Sequence, residues 1–99
     1  MQIEYYDGQF DDARYAVALA TTAALQGAAV LNHARVESLI KDSDGHVTGV
    51  RVRDDISGHS FDVKAKVVIN ATGPFTDAVR SMSKPDTASI ITPSAGALL

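Results

Sequence analysis

Between Asp11 and Gly27 the apolar positions Ala13, Ala16, Val17, Ala20, Ala23 and Ala24 recur at three- and four-residue steps, the spacing of one helix face. Asp11 or Asp12 supplies a cap and a first-turn negative charge, and Gly27 supplies a stop. The apolar face is almost entirely alanine, so the predicted helix can lie flat and close on a sheet. Ala28-Ala29-Val30-Leu31-Asn32 follows as a short apolar strand, the helix-to-strand half of a parallel unit. Ahead of the helix, Tyr5 and Tyr6 followed by Asp7-Gly8 predict a short strand running into a turn.

The period changes after Asn32. Val36 to Ile40, Val47 to Val52 and Phe61 to Val63 are short β-rich runs separated by Asp42-Ser43-Asp44-Gly45 and by Ser57-Gly58. Val50 and Val52 alternate with Arg51 and Arg53, the signature of a half-exposed strand. A three-stranded antiparallel meander with tight turns is predicted. Lys66-Val67-Val68-Ile69-Asn70 is then a continuous β-branched run of the kind buried on both faces of a parallel sheet, and it ends in Ala71-Thr72-Gly73-Pro74. A short helix is predicted over Phe75 to Met82 with Asp77 and Arg80 outward, and no sustained period follows from Lys84 to Leu99. The fold class is α/β.

Composition narrows the picture only by exclusion. A chain of 99 residues with 45% hydrophobic content has room for one small globular domain with a thin core. Nine basic residues scattered among twelve acidic ones, for a net charge of −3, do not make a nucleic-acid surface. With no cysteine there is neither a disulfide framework nor a thiolate metal site. The N-terminal residues show no targeting signal, and the apolar stretch from Ala13 to Ala29 is broken by Arg14, Thr21, Thr22 and Gln26, so no membrane span is expected.

Candidate chemistry is sparse. Small residues at the carboxyl end of a buried strand let a ligand approach exposed backbone amides, so Val68 to Gly73 can be a nucleotide-facing strand end or an ordinary turn. No G-x-G-x-x-G, Walker A or nucleophile-elbow pattern occurs. His33, His46 and His59 are expected at the surface rather than on a metal, and Asp42-x-Asp44-Gly45 reads as a hairpin turn, since the later ligands of a calcium loop are missing. Asn70-Ala71-Thr72 matches the glycosylation pattern, but inaccessibility at a buried strand end argues against its use. Arg14 could hold an anion, although a surface or packing role accounts for it as well.

Several blocks in order resemble the FAD-dependent glycerol-3-phosphate dehydrogenases, most closely the mitochondrial type. They are Tyr5-Tyr6-Asp7-Gly8-Gln9, Asp12-Ala13-Arg14, the small-residue helix to Gly27-Ala28, Asp62-Val63 with Ala65-Lys66, Val68-Ile69-Asn70-Ala71-Thr72-Gly73-Pro74-Phe75-Thr76-Asp77, and Pro93-Ser94-Ala95-Gly96. The resemblance covers residues 4 to 96. It implies a partial glutathione-reductase-like FAD-binding domain over 11–83, with 1–10 the end of a substrate domain and 84–99 a linker back toward it. Val36 then falls where such proteins set a backbone group against adenine, and Ala71, Thr72 and Gly73 where the strand end approaches the ADP part of FAD. Arg14 is placed near the substrate. No catalytic residue and no metal ligand is carried over.

The activity so implied is oxidation of sn-glycerol 3-phosphate to dihydroxyacetone phosphate, with electrons passed through FAD to quinone, at the mitochondrial inner membrane. The dinucleotide fingerprint expected upstream of Tyr5 and the histidine-bearing strand expected after Gly96 are not in the sequence. The chain is therefore expected to be a piece of such an enzyme and inactive alone. Alternatives are a non-catalytic short isoform that self-associates or pairs with the full-length enzyme, and a piece of another flavoprotein oxidase of the same fold.

Overall fold

The computed structural model describes residues 3–94, which divide into two units at Asn32/His33. In the first, helix α1 spans Asp12–Leu25. Asp11 is its cap: the carboxylate accepts from the Arg14 amide at 3.0 Å and the carbonyl from the Tyr15 amide at 2.9 Å. Phe10, just before the cap, meets Tyr15 with ring centroids 4.8 Å apart, a hydrophobic staple that fixes how the chain enters the helix. At the other end Gly27 takes a φ of 91°, so its amide and that of Ala28 turn back onto the Ala24 and Ala23 carbonyls at 3.0 Å each.

Sequence and structure part company on what flanks this helix. Tyr5 to Phe10 is irregular rather than a strand, with the Gly8 amide donating to Asp7 Oδ1 at 2.8 Å, and Ala28 to Asn32 is also outside any strand. Along the alanine face Ala20 and Ala23 are half-shielded, and no residue of α1 is buried. A strand is defined by its hydrogen-bonded neighbour. Apolar runs such as 28–32 carry the propensity, but none of the described residues supplies a partner.

The second unit holds the predicted meander. Strands β1 (Ala34–Lys41), β2 (Val47–Asp54) and β3 (Ser60–Lys64) are antiparallel in the order β1-β2-β3. Val52 sits across from Val36 on one side and Phe61 on the other, and at 7% exposure it is the core side chain among the described residues. Pairing of β1 with β2 slips by one residue between Val36 and Ser38, which leaves Glu37 as the extra residue.

Both turns are closed by aspartate. Asp42 Oδ1 accepts from the Asp44 and His46 amides at 3.0 and 2.9 Å, so the Asp42-x-Asp44-Gly45 segment is organised as a hairpin turn. Asp54 repeats the device with the Ser57 hydroxyl at 2.6 Å and the Ile56 amide at 2.8 Å. The Ser57 hydroxyl above all, then the Ile56 amide, holds the Asp54 carboxyl below its usual value. His33, His46 and His59 are all exposed.

The Ala65 amide makes the last sheet bond, to Thr48 at 2.9 Å, and Lys66 to Asn70 then runs free of any ladder. The buried parallel strand predicted there is not formed: Val67 and Ile69 are 74% and 83% exposed, although Val68 and Asn70 are half-buried. The physical reason is again a missing neighbour. Gly73–Phe75 makes a 3-10 turn and helix α2 spans Thr76–Ser83 against β1. The Lys41 ammonium donates to the Ser83 carbonyl, a cation at the negative end of the helix.

Asp77 and Arg80 do not point outward as predicted. They are 24% and 30% exposed, paired at 2.7 Å, and turned toward residues 88–91. Ala95 and Gly96, part of the last block of the resemblance, and the rest of the tail to Leu99 lie outside the described residues.

Candidate functional site

The turn after the free run is built by Asn70. Its Oδ1 accepts from the Thr72 hydroxyl at 2.8 Å and the Thr72 amide at 3.4 Å, while its Nδ2 donates to the Thr76 carbonyl at 3.1 Å. Thr76 returns the contact, its hydroxyl donating to the Gly73 carbonyl at 2.7 Å. Asn70 thus clasps the turn to the start of α2. Its amide nitrogen is engaged and half-buried, and this, rather than strand burial, sets it apart from a free glycosylation acceptor.

Beside this turn lies a groove of about 440 Å³ lined by Ala34, Arg35, Val36, Thr72, Phe75, Ala78, Val79 and Met82. Two positions chosen from sequence, Val36 and Thr72, are brought onto the same groove from segments 36 residues apart. Ala71 and Gly73 flank Thr72, exposed, and no hydrogen bond joins their amides to another described residue. Gly73 has a φ of 58°, and a β-carbon there would meet nothing within 4 Å. Open space lies in front of this backbone, as close approach of a ligand to a turn requires.

Arg14 lies in the N-terminal unit, in a groove of about 270 Å³ with Phe10, Asp11, Tyr15 and Ala18, and its guanidinium has no ion-pair partner among the described residues.

What the sequence reading missed is the apolar floor. Phe75, Ala78, Val79 and Met82 stand at i, i+3, i+4 and i+7 of the short helix, so the helical period already put them on one face. Arg35 was missed for a different reason, since it alternates outward on β1 and reaches the groove rim where its pair with Asp55, at 3.4 Å, leaves it largely exposed.

Comparison with known proteins decides the family. Residues 2–99 match the FAD dependent oxidoreductase family. The chain belongs to that family. Among its relatives, a probable mitochondrial glycerol-3-phosphate dehydrogenase of Caenorhabditis elegans is 56% identical over 93 residues, 93% of this chain and 13% of its own length. The mitochondrial glycerol-3-phosphate dehydrogenase of Homo sapiens is 54% identical over 99 residues, covering 95% of this chain and 14% of its own length. One from Arabidopsis thaliana, also mitochondrial, is 53% identical over 95 residues, 95% of this chain and 15% of its own. The chain thus spans about one seventh of the length of these relatives.

FAD is the cofactor of this FAD-dependent family. The residues present fit part of it. The groove is within the roughly 300 to 1,000 Å³ range of small-ligand sites, with an apolar floor for a flat ring and unengaged turn amides beside it for an anionic group. No helix among the described residues is long and apolar enough to cross a membrane.

Proposed function

We propose that these residues form one wall of the FAD site in an enzyme that oxidises sn-glycerol 3-phosphate to dihydroxyacetone phosphate, the electrons passing through FAD to quinone. The carrying observation is the convergence of Val36 and Thr72 on one groove, flanked by the open amides of Ala71 and Gly73, in a chain more than half identical to mitochondrial glycerol-3-phosphate dehydrogenases. In this reading Val36, Phe75 and Met82 would hold the adenine, and the Ala71 and Gly73 amides would hold the pyrophosphate. FAD, when bound, takes up the two electrons removed from the substrate alcohol. Every residue at this groove binds and orients; none moves a proton.

The finer features of the parent follow as part of the same proposal. The domain is glutathione-reductase-like, and residues 66–70 enter its sheet beside strands outside this chain, which accounts for the exposure of Val67 and Ile69. Residues 1–10 and 84–99 lead from and to the substrate domain. Arg14, with no ion-pair partner among the described residues, lies near the substrate, and the enzyme works at the mitochondrial inner membrane. The 99 residues have no turnover alone.

Titration of the purified chain with ADP, followed by amide NMR, tests the site. Shifts confined to residues 34–36 and 71–75 are expected. Their absence at millimolar ADP, or their appearance on α1 instead, overturns the assignment. For the substrate, replacing the matching segment of the human relative with residues 3–94 should retain glycerol 3-phosphate oxidation with a quinone acceptor. A folded, flavin-bearing chimera that oxidises another alcohol or an amine in its place would refute that half.

A further inference from the structure

The Asp77 carboxylate gathers donors from a segment well beyond its own helix. Oδ2 accepts from the Ser89 hydroxyl at 2.6 Å and from the Ile90 and Ile91 amides at 3.0 Å each. Oδ1 accepts from Arg80 Nη1 at 2.7 Å, and the same nitrogen reaches the Ala88 carbonyl at 3.1 Å. Residues 88–91 are therefore strapped to the first turn of α2. One residue away, Thr76 receives the Asn70 side-chain amide on its carbonyl and holds the Gly73 carbonyl with its hydroxyl. The strap and the turn that carries Ala71, Thr72 and Gly73 meet on adjacent residues of one helix turn.

A helix of eight residues does not hold its place or its shape unaided. Its C-terminal end is tied by Lys41 to β1, and its N-terminal end by Asp77 and Asn70. That same helix gives Ala78, Val79 and Met82 to the groove. We infer that Asp77 is a positioning residue for the 70–73 turn and the groove beside it, acting through the strap at 88–91; its relevance to the cofactor rests on the proposed FAD reading. Asp77 itself does not line the groove, so its effect on a ligand is transmitted through α2 and Thr76.

The test uses the full chain, Asp77→Asn and Asp77→Glu, amide and side-chain NMR, and ADP as probe. In Asp77→Asn the Ile90 and Ile91 amides are expected to move to disordered positions, and the Asn70 side-chain amide and the Thr72 amide to shift. Val50 and Val52 in the sheet should stay put. ADP should bind about fivefold more weakly, in the range seen for members of one hydrogen-bond network, and Asp77→Glu should recover at least half of that loss. Release of the strap with Asn70, Thr72 and the ADP affinity unchanged overturns the inference. Should Asp77→Asn unfold the sheet, Ser89→Ala decides in its place: it removes one donor and keeps the carboxylate, and unmoved Asn70 and Thr72 signals count against the inference. If ADP fails to perturb residues 71–73 even in the unaltered chain, the FAD reading falls, while the Asn70 and Thr72 shifts still show whether Asp77 positions the turn.

Discussion

Gly49 lies within β2, paired across to Lys64 on β3, and a β-carbon built on it would run into the Val63 carbonyl oxygen and crowd the Lys64 α-carbon. The obstruction is backbone, which cannot swing aside as a side-chain tip can. Gly49→Ala is therefore expected to part β3 from β2 and destabilise the sheet by roughly 1 to 3 kcal/mol, the usual cost of overpacking. Denaturant titration checks this, and a midpoint equal to that of the unaltered chain would show that β3 tolerates the displacement. At this scale the sequence was informative where a residue's role is set by its immediate neighbours. The Asp11 cap, the Gly27 stop and the Asp42 turn depend on contacts no more than five residues away. Asn70 was read as part of a strand end, and its clasp on the turn was not foreseen, because its reach to Thr76 depends on where α2 starts.

Among elements, the same division between local and distant partners explains which were legible. The meander was readable because short turns bring each strand onto its neighbour, and local pairings need no information from elsewhere. Residues 28–32 and 66–70 have the composition of buried strands and no neighbour to bond, so the pattern was right about propensity and wrong about the structure formed. Asp77 and Arg80 were placed outward by helical period, and the period is correct; what it could not foresee is a strap arriving from residues 88–91 on that side. This strap should respond to acid. The Ser89 hydroxyl first, with the Ile91 amide, Arg80 and the Ile90 amide, holds the Asp77 carboxyl well below the ordinary carboxylate range. A depressed folded-state value means that the stabilisation is complete above the unfolded value, near 3.9, and is lost as pH falls through the lower folded one. Arg80 is the charged group facing it, at 2.7 Å. The Ile90 and Ile91 amide shifts are thus expected to be flat from pH 7 to about 5 and to move only at pH below about 4. A transition centred above that range would mean that another group controls the strap.

For the whole molecule the question is how far stability extends beyond the sheet. Val52 is the buried apolar side chain of the described residues, whereas Leu25, Val67 and Ile69 are more than 70% exposed. Helix α1 is well capped at both ends, yet at 14 residues with none buried it depends on propensity and caps, and helices of about that length are marginal in water. The sheet is different. β2 is bonded on both sides, and Val52 is shielded between Val36 and Phe61. Local opening free energies follow such differences, from near zero where nothing is buried up to the global value in the core. Hydrogen exchange of the purified chain should therefore show its slowest amides in β2, around Val50 and Val52, with β1 and β3 intermediate. Residues 12–25 should exchange at least about tenfold faster than β2, a difference of roughly 1.4 kcal/mol in opening free energy. Equal protection of α1 and β2 would contradict this, and would mean that the alanine face is covered in solution. ADP added to the same sample should slow exchange at residues 70–75 and leave α1 unchanged if the groove beside Thr72 is the nucleotide wall. Protection gained on α1 alone would point to Arg14 and its aromatic neighbours as the anion site.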